Sequence, residues 1–246
     1  MSMFGAVSDR IGYPNLGSGR LPDTTQNLRP GTILHTQDPF WGAGEVIYAT
    51  ASTTIGMFAL CILVPTWDST NLWWDMVATP CPNTANLGQS AGVAQTSATV
   101  GQKIIVKIYG VTPVNCQASV AADTAFGVAA AGQGGAIGNG KQVLNARIAA
   151  AASTTVAKTC TGYNGTKILT IANNDAGGWF IGAYLSGTGI GASAKITDIS
   201  PDGSTVTVDV ANSAQIAGTV TATYNNATIY YNVAMLNRPF MQGQTA

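Results

Sequence analysis

Residues 103–111 read Lys-Ile-Ile-Val-Lys-Ile-Tyr-Gly-Val, and this stretch is the clearest strand signal in the chain. β-Branched and aromatic side chains are enriched in strands. Short runs of Val, Ile, Thr and Tyr recur along the sequence, each bounded by Gly, Asn, Asp or Pro. The chain has one glutamate, Glu45, and six lysines, whereas Glu, Lys and Arg normally fill exposed helices. The sequence therefore predicts an all-β fold.

Further strands are predicted on both sides of this stretch. Residues 45–50 and 56–64 precede it, and the second of these is apolar enough to be buried on both faces. A third region follows at 67–77. The segment 141–152 suits a helix because of its alanines and a strand because of Val143 and Ile148, so both assignments remain open. The remaining strands of the main β body are predicted at 124–130, 143–149 and 228–236.

The pattern divides the chain into three parts. Residues 1–38 lack periodicity and contain several chain breakers, so they are predicted to form an extended N-terminal arm. Residues 157–225 are predicted to form a small β module, with turn signals at Asn164–Gly165 and Asp202–Gly203. Residues 39–156 and 226–246 would then form one discontinuous main β domain. The module is an insertion in that domain, of the kind that exposed loops tolerate.

Composition argues against several classes of protein. Charged residues make up 9% of the chain and hydrophobic residues 46%, and the hydrophobic fraction argues against disorder. The longest apolar run, 55–64, is far shorter than the roughly 20 residues of a membrane span. Eleven basic and eleven acidic residues give zero net charge, which argues against nucleic-acid binding. A weakly charged surface suits close contact with other proteins, because little charge is desolvated when it is covered.

No cofactor or catalytic motif is complete in the sequence. Residues 135–142 resemble a phosphate-binding loop, but Gln142 stands where that motif needs Ser or Thr for magnesium. Residues 187–191 form a glycine cluster, yet a β-hairpin is predicted where a dinucleotide site needs a helix. His35 is the only histidine, and no recognisable nucleophile motif accompanies it. We expect it to cap or pack the start of the first strand, and we predict no cofactor and no metal site.

The four cysteines have neither the spacing of a zinc site nor that of a redox motif. They are expected to be free, buried thiols in a reducing cytoplasm, with a disulfide left open because sequence cannot choose its partners. The four positions are Cys61, Cys81, Cys116 and Cys160.

Trp67, Trp73 and Trp74 lie close in sequence to two carboxylates, Asp68 and Asp75. Paired carboxylates with aromatic platforms are typical of glycosidases, and stacked tryptophans alone suit carbohydrate binding. The favoured interpretation is a buried core or an interface cluster, because Trp is the usual anchor of both. The two aspartates would then cap turns.

Several segments occur in a fixed order that resembles a known family. They are Pro30-Gly31-Thr32-Ile33, Gly42-Ala43-Gly44-Glu45-Val46-Ile47-Tyr48, residues 103–114, residues 141–147 and Arg238-Pro239-Phe240-Met241-Gln242-Gly243-Gln244. This order is similar to that of tailed-bacteriophage decoration or cement proteins, which sit on a capsid shell. The resemblance covers about 30–244, with the module as an addition. It implies a β-barrel or β-sandwich body, often a homotrimer, bound to the outside of the major capsid protein, and it implies no catalytic residues.

A structural role at the surface of the virion is therefore expected, for a protein made in the host cytoplasm because its start lacks a signal-peptide pattern. The arm would lie over neighbouring capsid subunits, ordering on contact. Its arginines would meet acidic patches and its aromatic rings would serve as apolar anchors. The candidate contacts are Phe4, Arg10, Tyr13, Arg20 and Arg29.

Two other functions remain open at this stage. The first is a head-fibre, tail or receptor- or carbohydrate-binding virion protein, in which the tryptophans and the module would face the host. The second is a capsule-degrading enzyme that uses Asp68 and Asp75.

Overall fold

The computed structural model describes residues 28–38, 41–151, 155–200, 202–223 and 230–243. Nearly every regular element in them is a β-strand, and the helical element described is a short 3-10 turn at Ala172–Asn174. The all-β prediction is confirmed. The segment 141–152, for which both helix and strand were open, contains a strand at Val143–Ala150. None of the helical segments within the described ranges has the length and apolar character needed to cross a membrane.

The described strands fall into two compact units. The first unit contains β1 (Ile33–Asp38), β2 (Gly42–Ala51), β3 (Leu60–Asp68), β4 (Trp73–Pro80), β5 (Ser90–Ala94), β6 (Lys103–Cys116), β7 (Gly127–Ala130), β8 (Gln133–Gly135), β9 (Val143–Ala150) and β16 (Tyr230–Met241). The second unit contains β10 (Thr155–Gly162), β11 (Ile168–Ile171), β12 (Tyr184–Ser186), β13 (Ile196–Ile199), β14 (Thr205–Val208) and β15 (Ile216–Thr223).

Five strands of the first unit pair in a closed ring, which makes a small barrel. β2 pairs with β4, β4 with β3, β3 with β5, β5 with β6, and β6 with β2 again. Only the β2–β4 contact is parallel. Alternate residues of each strand point into the barrel. Many of the interior side chains are alanines, because so few strands enclose a narrow interior. The buried interior includes Ile47, Ala49, Ala51, Cys61, Leu63, Ala78, Ala94, Ile104, Val106 and Ile108.

A second group of strands extends this barrel through the long strand β6. The half of β6 beyond Tyr109 pairs with β16, and β9 pairs with the other edge of β16. Strand β8 joins β6 at Cys116, and β7 pairs with β8. The C-terminal strand β16 therefore lies between two strands from the middle of the chain.

The second unit is a six-stranded antiparallel sheet in the order β12-β15-β10-β11-β14-β13. An isolated bridge between Tyr184 and Lys195 links its two ends, so this sheet also curls back on itself. Turns at Asn164–Gly165 and Asp202–Gly203 connect strands where the sequence predicted them, with Gly165 and Gly203 in the left-handed region that glycine favours. Trp179 is fully buried in the interior.

Two element boundaries differ from the expected ones. Ile33–Asp38, which the sequence assigned to the arm, forms strand β1 and pairs with β2 along its length. Strand β10 begins at Thr155, before the predicted start of the module at 157. Both differences have the same cause. Pairing with a neighbouring strand places residues in a β-strand even where the local sequence pattern is weak. The arm candidates Phe4, Arg10, Tyr13 and Arg20 lie outside the described residues.

Candidate docking surface

The tryptophans that the sequence singled out lie together on one hairpin, formed by the end of β3 and the start of β4. Trp67 stands opposite Trp74 and Asp68 stands opposite Trp73, with residues 69–72 as the connecting loop. We call residues 65–76 the tryptophan hairpin. Because side chains alternate along a strand, the hairpin has two distinct faces.

The inner face of the hairpin continues the interior of the first barrel. Leu63 and Ala78 are paired core residues of that barrel. The next pair on the same face is Pro65 with Met76, and the Met76 side chain packs against the core. The pair after that is Trp67 with Trp74. The final pair is 49% and 61% exposed. The apolar face of the barrel therefore runs outwards past the core and ends in two exposed indoles.

These two indoles contact each other edge to face. Their ring centroids are 5.8 Å apart and the ring planes are inclined by 67°, a favourable geometry for an aromatic pair. Trp67 and Trp74 are therefore not buried in the core of this chain, and neither is Trp73, which is 37% exposed. The expected interface role of the three tryptophans stays a prediction. The indole rings of Trp67 and Trp74 stabilise the hairpin and remain largely open to solvent.

On the outer face of the hairpin, Trp73 makes two contacts within the chain and remains 37% exposed. Trp73 donates a hydrogen bond from Nε1 to Oδ1 of Asp75 at 2.8 Å. The guanidinium of Arg29 lies over the Trp73 ring, 5.0 Å from its centroid, within the range of a cation–π contact. Arg29 is the one predicted capsid-contact residue that the structure describes, and it is held against the hairpin.

Asp68 caps the loop of the hairpin. Its Oδ1 accepts hydrogen bonds from the backbone N–H groups of Thr70 at 2.9 Å and Asn71 at 3.1 Å, and its Oδ2 accepts one from Asn71 Nδ2 at 2.7 Å. These bonds hold the pKa of Asp68 below its usual value, with the Asn71 side chain the largest contributor. A glycosidase general acid needs a raised pKa. Asp68 therefore has the surroundings of a turn cap.

Leu72 lies at the tip of the hairpin, and sequence reasoning missed it. Its φ of 58° is in the left-handed region, which side chains other than Gly, Asn and Asp rarely adopt. Its side chain is 72% exposed. A signal was present in the sequence, because Asp68 followed by Ser-Thr-Asn predicts a capped loop that places the next residue at its end.

The glycine-rich segments serve as connections between strands. Residues 135–142 connect β8 to β9, and Lys141 donates a hydrogen bond from Nζ to Asn83 Oδ1 at 2.9 Å. Residues 187–191 follow β12, and the next regular element is strand β13. Neither segment leads into a helix, which both nucleotide-binding motifs require.

His35 lies beside the start of the strand predicted at 45–50, as expected, although its side chain is exposed. It lies on β1 directly opposite Glu45, with Nδ1 3.8 Å from Glu45 Oε1. The same carboxylate accepts hydrogen bonds from Arg238. Within the described ranges no three His, Cys, Asp or Glu side chains come together in a way that suits a metal ion.

All four cysteines are free and buried. Burial raises the pKa of Cys81 and Cys116 to about 12 and that of Cys160 to about 11. It also raises the pKa of Cys61, with the neighbouring Cys81 adding to the effect. A reactive cysteine needs a depressed pKa, so these thiols behave as small apolar core residues.

Comparison with protein-family models, with curated proteins and with solved structures finds no match for this chain.

Proposed function

We propose that this chain is a structural virion protein that binds the outer surface of a phage capsid and stabilises the mature shell by cementing neighbouring major capsid proteins. The observation that carries the proposal is spatial. The segments that resemble decoration proteins are separated along the sequence, yet they are neighbours in the first unit. The inserted module takes no part in this arrangement.

The contacts between these segments can be followed strand by strand. Residues 30–33 are bonded to residues 42–48, with Gly31 N–H donating to the Tyr48 carbonyl at 2.6 Å. Strand β2, which contains 42–48, pairs with β6, which contains 103–114. Strand β6 in turn pairs with β16, and β16 pairs with β9, which contains residues 143–147. The five segments therefore belong to one connected block of strands. This arrangement supports the proposal because the resemblance implies a single β body built from these segments.

The surface chemistry also suits attachment to a protein shell. The chain is 9% charged, so covering its surface desolvates few ions. A protein that binds only the expanded lattice shifts the equilibrium towards that state by mass action. A homotrimer at repeated lattice sites gains further from avidity. Weak individual contacts therefore suffice to hold a shell together.

The test is a binding experiment with expanded, undecorated phage heads. The purified chain is mixed with heads, the particles are sedimented, and bound copies are counted on quantitative gels. We expect saturation on the order of hundreds of copies per particle, as repeated lattice sites require. Heads that have not expanded serve as the control and should bind far less. Failure to bind expanded heads would refute the cement role.

The second candidate is a head-fibre, tail or receptor- or carbohydrate-binding virion protein, and the exposed indoles of Trp67 and Trp74 favour it. Copy number separates the two functions, because a fibre or tail part is present in a few copies per virion. The capsule-degrading enzyme is the least supported function, since Asp68 caps a loop and Asp75 accepts a hydrogen bond from Trp73.

A further inference from the structure

The two faces of the tryptophan hairpin differ in how completely their groups are satisfied. On the outer face, Trp73 is bonded to Asp75 and covered by Arg29, and Asp68 is engaged with the loop. On the inner face, no hydrogen-bond partner for the indole nitrogens of Trp67 and Trp74 occurs among the residues that the structure describes. The polar groups of the outer face are thus paired within the chain, although Trp73 remains 37% exposed, whereas the inner face is an apolar surface that ends in solvent.

We propose that the inner face and tip of the hairpin, formed by Trp67, Leu72 and Trp74, insert into an uncharged apolar cleft on another protein. This inference rests on the proposed function, in which that protein is the capsid shell protein.

The hairpin leaves a large apolar surface open to solvent. Exposed fractions of 49%, 61% and 72% for Trp67, Trp74 and Leu72 leave roughly 300–400 Å², since an indole carries up to about 250 Å². The two indoles are in contact with each other, and Leu72 lies at the tip of the same hairpin. Apolar surface of this amount is often a binding site. Trp is also the residue type most enriched among the anchors of interfaces.

The backbone conformation of Leu72 is unfavourable for a leucine. A leucine in the left-handed region costs conformational energy, and a leucine exposed by 72% gains almost nothing from burial in this chain. Asn or Gly would suit this position of the loop better. A residue that is unfavourable both for the turn and for solvent is explained by a contact outside the chain.

The residue types on the inner face indicate the chemistry of its partner. The carboxylates of the hairpin belong to the outer face, and the inner face consists of Pro65, Met76 and the two indoles. Such a face offers no charge and few polar groups, so it matches an apolar protein surface. A sugar would require several oriented polar partners for its hydroxyl groups, and these are engaged on the other face.

The size of the patch argues against a second copy of this chain as the occupant. A stable interface buries about 800 Å² on each partner, and the exposed tip provides at most about half of that. A small anchor of this kind is effective where many copies bind the same lattice, because avidity multiplies weak contacts. The partner is therefore expected to be a repeated protein with a narrow apolar cleft.

The test compares hairpin variants in the binding experiment with expanded heads. Leu72→Asn removes the apolar tip but relieves the backbone, so we expect an unchanged or higher melting temperature together with roughly tenfold weaker binding. The double variant Trp67→Ser/Trp74→Ser should bind at least about 30-fold more weakly, as expected for an interface anchor. Circular dichroism of each variant establishes that the fold is retained.

The matched control is Ile137→Asn, which removes another exposed apolar side chain, 50% exposed, from the loop between β8 and β9. It should bind as the unmodified chain does. If the unmodified chain binds and Leu72→Asn binds equally well, the insertion is refuted while the cement function stands. If the unmodified chain does not bind heads, the proposed function and the shell as partner are both refuted.

Two further outcomes would assign the hairpin to a different occupant and so overturn the proposal. Self-association of the unmodified chain in sedimentation velocity, lost in Leu72→Asn, would identify a second copy. Release of bound chain from heads by soluble host glycans, with no effect of glycans on Leu72→Asn, would identify a sugar. Binding to heads that is insensitive to glycans and weakened by Leu72→Asn supports the proposal.

Discussion

Arg238 and Glu45 form a two-pronged ion pair across 193 positions of the sequence, with Nε 3.0 Å from Oε2 and Nη2 3.1 Å from Oε1. The pair connects β16 to β2. Arg238 has a φ of 49° and lies where the pairing of β16 with β9 shifts register. Glu45 lies at the register shift between β2 and β6. Irregularities in strand pairing redirect side chains, and here two register shifts bring the only glutamate of the chain to an arginine near its C-terminus.

We expect Glu45→Gln to lower the free energy of unfolding of the first unit by about 1 kcal/mol, since a bidentate pair exceeds the usual value of a surface ion pair. The Glu45 side chain is 13% exposed, which limits screening by water. Urea unfolding of Glu45→Gln, Arg238→Gln and the double variant measures the coupling between them. As a control, Arg147→Gln, which breaks an ion pair with two exposed side chains, should leave stability nearly unchanged. Strictly additive losses in the double variant would contradict a direct pair.

Trp179 should stabilise the second unit much more than Trp74 stabilises the first. Trp179 is fully buried and donates a hydrogen bond from Nε1 to the Val156 carbonyl at 2.9 Å. Trp179→Phe removes the donor of this part-buried hydrogen bond and leaves a void where the indole was, at a cost of about 1–3 kcal/mol. Trp74→Phe, the same change at an exposed indole, should cost less than about 0.5 kcal/mol. Equal losses in urea unfolding would show that the burial of Trp179 contributes little.

Acid should weaken the second unit through two carboxylates whose pKa values are depressed. Hydrogen bonds from Ser200 and Ser204 lower the pKa of Asp202 to about 2, and Lys158 lowers that of Asp175. A depressed pKa contributes stability that is present above the unfolded value of 3.8 and is lost as pH falls through the folded value. Burial raises the pKa of Asp198, so its protonation opposes this trend.

The urea midpoint of the second unit is therefore expected to fall between about pH 4 and pH 2. Asp202→Asn should already be less stable at neutral pH and should show a smaller decrease on acidification. An Asp202→Asn variant with the same acid dependence as the unmodified chain would rule out Asp202 as a contributor.

The four buried thiols should be unreactive in the folded chain. With pKa values of about 11 or higher, they carry almost no thiolate at pH 8. A colorimetric disulfide reagent should therefore titrate no thiol in native buffer and all four in denaturant. Rapid reaction of one thiol in native buffer would indicate local opening around it.

Strand positions were the part of the fold most accessible from sequence. The signals for the strand at 103–111 and for the turn at Asp202–Gly203 extend over only a few residues, so residue alternation and turn preference are sufficient to predict them. The segment 141–152 could not be resolved in this way, because its alanines favour helix and its pairing with β16 lies far away in the sequence. This segment forms a strand because it pairs with β16.

The candidate site was predicted in part. Trp67, Trp73 and Trp74 were recognised as a cluster. Asp68 caps the loop as predicted, whereas the same prediction for Asp75 is wrong, because Asp75 lies within β4 and accepts a hydrogen bond from Trp73. Which indoles would be open to solvent could not be predicted, because the face of a strand that points outwards depends on how far it extends beyond the core. Leu72 was missed because its importance lies in a backbone angle and an exposure that composition does not report.

By itself, the sequence determined that this chain is built from β-strands, carries little charge and contains no complete catalytic motif. These properties follow from residue type and from spacing over a few positions. Only the tertiary structure decided that five strands close into a barrel, that Glu45 meets Arg238, and that Trp179 is buried whereas Trp67 and Trp74 are exposed. The physical reason is that burial and strand pairing are properties of residues far apart in the chain, and local preference carries no information about which distant strands become neighbours.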